Sequence, residues 1–383
     1  APAGAPAGGA TVEGGAAGGG AAAEGPTVWQ QLLGLATAWM GRVGAAGGLA
    51  DFGAPANLLE CVPTYVHKVA AFNAAAVWST RMVGSAADHP SLEQERVRQL
   101  RRQLRGQRRR MKVEQRRGIS GLRGARPAAL GAKLAAQADA LAAAVLGLAV
   151  GRSGVWFAEQ PDGSRLINRH VIDFAYVAEF MIDDLPPQLR EGMASFVTRE
   201  LLQPQQGWMR AQSLLDPAAA RSDRTDHGPW GAYSGWPAIT AAALAALGHQ
   251  RSGLGVLRRA AALTRRGPWG QAHALHRAGD GHGKGGSAGG KGGAGAAYKP
   301  FEFTLYNEAV GAAFVDATLH VVFGLRAAAA PLMDAHAWPP VAPDARTPLG
   351  AGGVAAELHL LRWQGALFNA TAAADGGVAW RAA

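Results

Sequence analysis

Apolar residues return at helical spacing in one stretch of this chain after another, and glycine or proline punctuates the stretches. Trp29, Leu32, Leu33, Leu35, Ala36, Trp39 and Met40 share one face of a helix over 27–43. The same pattern predicts helices over 57–84 (interrupted near Pro63), 91–117, 127–150, 171–183, 187–202, 237–248, 252–264 and 306–324. Pro237 suits a first helical turn, and Gly248 and Gly324 suit helix ends. Two regions break the pattern. Residues 155–168 hold a Pro-Asp-Gly turn signal, and 354–381 alternate enough for two or three short strands. The expectation is a mainly α protein of paired helices with a short C-terminal β segment. No repeat at the ~34 or ~40 residues of common solenoids is present.

Apolar residues make up 48% of the 383 and charged residues 17%, which excludes a chain disordered throughout. Alanine and 53 glycines inflate the apolar share, so the core is expected to be thin in side-chain volume. The single cysteine, Cys61, excludes an intrachain disulfide. The longest apolar stretch, 134–150, contains Asp139 and is too short and polar for a membrane span. Residues 1–26 are low complexity, with no charged segment leading into an apolar one, so no signal peptide is expected there. The main domain is expected over 27–330, with a basic insert at about 92–126 and a glycine-rich insert at about 278–297. A β-rich tail is expected over 331–383.

The formal charge of +10 is local. Residues 96–126 hold 13 Lys or Arg and one acid, Glu114, so this segment carries +12 and the remainder −2. Such a run is expected to be solvated; its alternative role is weak, salt-sensitive polyanion binding. No aromatic residue interleaves the arginines, so base stacking is unsupported.

Three segments carry chemistry. Between Trp208 and Trp236 stand Arg210, Asp216, Arg221, Asp223, Arg224, Asp226 and His227, with Trp230, Tyr233 and Trp236. Aromatic faces beside carboxylates and arginines suit a sugar, whose C–H face packs on an indole while its hydroxyls take directional hydrogen bonds. A loop held by its own ion pairs over core tryptophans is the structural alternative. In the second segment, 49–78, Asp51, Asn57, Glu60, Tyr65, His67 and Asn73 punctuate an apolar stretch. There His67 reads first as a core histidine, and Asn73 as a capping or packing polar group, ahead of any ligand role. The third, 301–314, places Asn307 and Glu308 at the start of a helix, where an acid also serves the helix dipole.

Together these segments resemble the six-hairpin, (α/α)6-toroid glycosidases, in particular the trehalase-like and processing-glucosidase-like group. ADFGAPANLLE followed by FNAAAVW is similar to that group's acid-bearing loop and helix, without its Glu-Ser-Gly-Trp. GAYSGWPAITAAALAALG matches its Gly-x-x-x-Trp-Pro segment, and YNEAVGAAF its Tyr-Asn-Pro-x-x-Gly segment with Glu308 in place of proline. The resemblance covers about 27–326. It implies an (α/α)6 toroid; since about ten helices are expected where twelve are needed, the first hairpins are expected to be missing.

The resemblance further implies a glycoside hydrolase, in which two carboxylates hydrolyse a glycosidic bond with inversion and without a metal or other cofactor. It assigns Asp51 as general acid and Glu308 as general base, with Glu302 as substitute and Asp226 as rival for either role. Arg210, Asp223, Arg224, His227, Trp230, Tyr233, Trp236, Asn57, Glu60 and Asn73 are the expected carbohydrate contacts. The first alternative is a non-catalytic carbohydrate-binding or interaction protein derived from the toroid. The second is a polysaccharide lyase, in which Tyr233 and His227 face an arginine. Nucleophile-elbow, phosphate-loop, dinucleotide and His-Glu-x-x-His motifs are all missing from the sequence, and His273, His276 and His282 lack metal spacing.

Overall fold

The computed structural model describes residues 28–43, 48–54, 62–87, 127–203, 208–222, 226–264, 272–274, 308–325, 356–363, 366–372 and 378–382. These residues are mainly helical. The helices are α1 (Val28–Thr37), α2 (Ala70–Ala87), α3 (Pro127–Leu146), α4 (Val171–Phe180), α5 (Pro187–Phe196), α6 (Trp236–Ala246), α7 (Gln250–Thr264) and α8 (Glu308–Phe323). The strands form small antiparallel pairs: β1 (Trp156–Glu159) with β2 (Arg165–Asn168), β3 (Leu202–Gln203) with β4 (Trp208–Met209), and β5 (Gly231–Tyr233) with β6 (Ala272–Ala274). A three-stranded sheet, β7 (Ala356–Trp363), β8 (Ala366–Ala372) and β9 (Val378–Ala382), closes the order and supplies the expected C-terminal β segment.

Close helix contacts run in a row, α2 to α4 to α6 to α8, with α1 and α3 packed on α2 and α7 packed on α6 and α8. The row α2, α4, α6 and α8 forms one layer, and α1, α3 and α7 lie against it. Among the described residues the ends of the row, α2 and α8, do not pack closely on each other. One hydrophobic core joins the layers, with Val77, Leu141, Phe174, Leu244 and Val321 all buried in it. Small residues let the helices approach. A Cβ on Gly253 of α7 would meet the Ala241 carbonyl of α6 at 2.5 Å. Arg81 of α2 holds both oxygens of Asp184, at 2.7 and 2.8 Å, and reaches Asp139 of α3 at 2.8 Å.

Boundaries depart from the periodicity where tertiary bonds claim the backbone. The helix expected from residue 57 begins at Ala70. Within 62–69, Phe52 N donates to the His67 carbonyl and His67 N to the Gly53 carbonyl, while Lys68 exchanges bonds with Glu159 of β1. The stretch expected to be helical to 202 leaves the α form at Phe196 and finishes in a wide π turn, Val197–Leu201. The Pro-Asp-Gly signal at 161–163 becomes the β1–β2 hairpin, with Gly163 at φ 83. The helix expected over 91–117, the basic insert and the glycine-rich insert lie outside the described residues.

Candidate functional site

The N-terminal ends of α2, α4 and α6 meet, and polar residues occupy the junction. Asp173, in the first turn of α4, accepts from Ala71 N at the start of α2 (2.9 Å) and from the Tyr65 hydroxyl (3.1 Å). Burial pushes its carboxyl up to about 7, against the lowering effect of those two bonds. Burial, then the neighbouring Asp173 charge, raises the Tyr65 phenol. His170 caps α4, accepting from Ile172 N at Nδ1 (3.1 Å). Nδ1 therefore carries no proton, and Nε2–H donates to the His227 carbonyl at 3.1 Å. Burial, then the charge of His227, presses His170 down to about 3, so it stays neutral. Its ring stands 6.1–6.2 Å from those of Tyr65, His227 and Trp236.

The segment 208–235 is knitted onto these helix ends by its own backbone. Val171 N donates to the Ala211 carbonyl, Ala211 N to that of Gly231, Ser213 N to that of Arg169, and Tyr233 N to that of Asp226. Asp216 accepts from Arg169 N (2.6 Å) and Ala218 N (2.8 Å), a structural use of its carboxylate. Arg169 grips Glu200 at 2.7 and 2.9 Å, and Glu200 accepts from the Ser213 hydroxyl at 2.6 Å. In this frame the Asp226 carboxylate lies 3.7 Å from His227 Nε2, with 7% of its side chain exposed.

Several buried polar atoms at this junction have no hydrogen-bond partner among the described residues: Arg210 Nε and Nη1, Asp173 Oδ2, Ser234 Oγ, Trp236 Nε1 and both amide atoms of Asn168. All belong to the segments that meet at the helix ends. Burial also lowers the Arg210 guanidinium from its usual value. An unpaired buried polar group costs ~1–3 kcal/mol, and native proteins carry few of them. A concentration of them, beside aromatic rings, is what a hydroxyl-rich ligand would satisfy.

Of the expected site residues, His227, Tyr233 and Trp236 bring their rings to this junction, Asp226 stands beside His227, and Arg210 and Trp230 lie on the segments that reach it. Trp236 is only 5% exposed and packs against His170, Tyr176 and Tyr233. Trp230 and Tyr233 are half-buried. Asn73 is wholly buried and spent on packing: it accepts from Ala50 N and donates to the Ala50 and Val69 carbonyls. Asp51 stands in a pair with His67, its oxygens 3.1 and 3.3 Å from Nδ1 and one of them accepting from Gly53 N at 2.7 Å. His67 is the non-glycine residue held at positive φ, 64°, among the described residues, and it is partly exposed rather than core. Asn57, Glu60, Asp223, Arg224 and Glu302 lie outside the described residues, and Glu308 is described only as the first residue of α8. Sequence reading did not single out His170 and Asp173. Their signal was the spacing of a cap and an acid three residues on, ahead of an apolar run.

Among the described residues no group of three His, Cys, Asp or Glu is placed to hold a metal ion, and no helix is long and apolar enough to cross a membrane. No protein-family model matches the chain, and no curated protein matches it.

Proposed function

We propose that the chain is a glycoside hydrolase of the α/α-toroid type, with its sugar site at the junction of the α2, α4 and α6 N-termini. The observation that carries this reading is the concentration of buried polar atoms, without a partner among the described residues, on segments that also carry Trp230, Tyr233, Trp236 and Asp226. Helix N-termini add positive potential, which favours carboxylates and the oxygens of a polar ligand. Two-carboxylate hydrolysis needs one group protonated near neutral pH and one ionised. Asp173, pushed up to about 7 by burial, fits the proton donor, and its Oδ2 has no partner among the described residues. Asp226 fits the carboxylate that activates water.

Inversion requires the two carboxyl groups about 6.5–9.5 Å apart. Asp51 with Glu308 is the rival pair. The test is reducing-sugar release from a panel of glucosyl, mannosyl and galactosyl disaccharides, with the product anomer read by proton NMR. Asp226→Asn is expected to remove ~10²–10⁴-fold of the rate while leaving the melting point near that of the parent. A parent that hydrolyses none of the panel, or an unchanged rate in Asp226→Asn, overturns the reading as stated. Loss only in Asp51→Asn and Glu308→Gln moves the chemistry to the rival pair.

A second reading, a non-catalytic carbohydrate-binding protein, is favoured by one feature. Asp173 Oδ1 and both His170 nitrogens are already spent on holding helix ends and the 226–230 turn. Disaccharide binding by calorimetry without turnover supports this second reading.

A further inference from the structure

A concavity runs along α2 between the turn that follows α1 and the C-terminal end of α4. It encloses about 360 Å³, within the range of small-molecule sites. Trp39, Phe52, Phe72, Trp78 and Phe180 wall it, and Ala75 and Ala76 give it depth by leaving the middle of α2 bare. The rings are locked against one another. Phe52 meets Phe72 edge-on at 5.3 Å, and Trp78 meets Phe180 at 5.2 Å with planes inclined by 33°. A flat apolar body would find ring faces and edges on both sides, the arrangement in which aromatic groups gain most.

The polar groups of the lining decide what else the occupant carries. The Trp39 indole N–H donates to Thr80 Oγ1 at 2.9 Å, and the Ser79 hydroxyl donates to the Ala76 carbonyl at 3.2 Å. Neither donor hydrogen is free for an occupant. Arg42 remains. Its guanidinium lies 5.7 Å from the centre of the Phe52 ring, held at the rim by cation–π attraction, and no carboxylate among the described residues pairs with it. An aromatic slot with one fixed cation at its mouth matches a planar ring system bearing one anionic group.

We propose that this groove binds a small aryl carboxylate or sulfonate, its ring system between the Phe72 and Trp78 walls and its anionic group on Arg42. The site is independent of the hydrolase reading, because it uses none of that reading's polar groups.

Trp39 and Trp78 report occupancy directly. Titration of the full chain with naphthoate should quench tryptophan fluorescence saturably, and the uncharged naphthamide should bind at least several-fold more weakly. Arg42→Gln, at an exposed position, should weaken naphthoate about tenfold or more and leave naphthamide unchanged. Ala75→Leu should fill the slot and abolish both. Far-UV circular dichroism establishes that each variant is folded. Saturable naphthoate quenching that weakens in Arg42→Gln, disappears in Ala75→Leu and is undiminished by millimolar disaccharide supports the proposal. Three outcomes overturn it: no saturable quenching, equal affinity for naphthoate and naphthamide, or an unchanged affinity in folded Arg42→Gln.

Discussion

His170 and Asp173 stand three residues apart at one helix end, yet burial moves their protons in opposite senses. His170 is pressed from 6.5 to about 3, so below pH 6.5 an unfolded chain takes up a proton that the folded chain refuses. Stability therefore falls as pH drops from about 6.5 toward 3. Asp173 is pushed from 3.8 to about 7, so the folded chain keeps a proton that the unfolded chain releases. That contribution falls as pH rises from 3.8 to about 7. His170→Asn retains a capping side chain and should flatten the acid limb of melting temperature against pH. Asp173→Asn should flatten the limb between pH 4 and 7 and leave the acid limb in place. The tryptophans divide in the same way. Trp236→Ala, at a buried ring, should cost ~3–5 kcal/mol in denaturant unfolding. Trp230→Ala, at a half-buried one, should cost clearly less and weaken disaccharide binding more.

At the scale of elements, the helix ends are where loops are tied down, and glycine permits the closest approaches. The turn 151–154 lies on α5 with Gly154 at φ 75, and a Cβ there would collide with the Gly192 and Met193 backbone. Gly163, in the β1–β2 turn, has a similar φ of 83 but open space around it. Gly163→Ala should cost only the left-handed strain, ~1–2 kcal/mol. Gly154→Ala adds a backbone collision and should cost more than ~3 kcal/mol or prevent folding, as urea unfolding would read. The α2 N-terminus makes a parallel point. Asp173 caps it from α4 and Asn73 ties it to Ala50, so its position depends on contacts 102 and 23 residues away in sequence.

For the whole molecule, charge and fold separate. Residues 96–126 carry +12 of the net +10 and have few apolar side chains to offer a core. Deleting 94–124 should leave the melting point within a few degrees and abolish retention on heparin. Parent retention should weaken steeply between 50 and 200 mM salt. A deletion variant that unfolds would show that this segment belongs to the helical body.

The mainly helical class, most helix positions and the C-terminal strands were legible in residue order. They rest on local physics: the 3.6-residue apolar period, strand alternation, and proline and glycine punctuation. The start of α2 was not legible, because the backbone of 62–69 is claimed by Gly53, Phe52 and Glu159, none of them its neighbour in sequence. Nor could the sequence rank its polar residues. Packing gave Asn73 and Asp216 backbone partners and left both amide atoms of Asn168 buried without a partner among the described residues. His67 read as a core histidine and is instead a partly exposed partner of Asp51. Which polar group is spent and which is available depends on burial and on partners far along the chain, and only the tertiary structure assigns those.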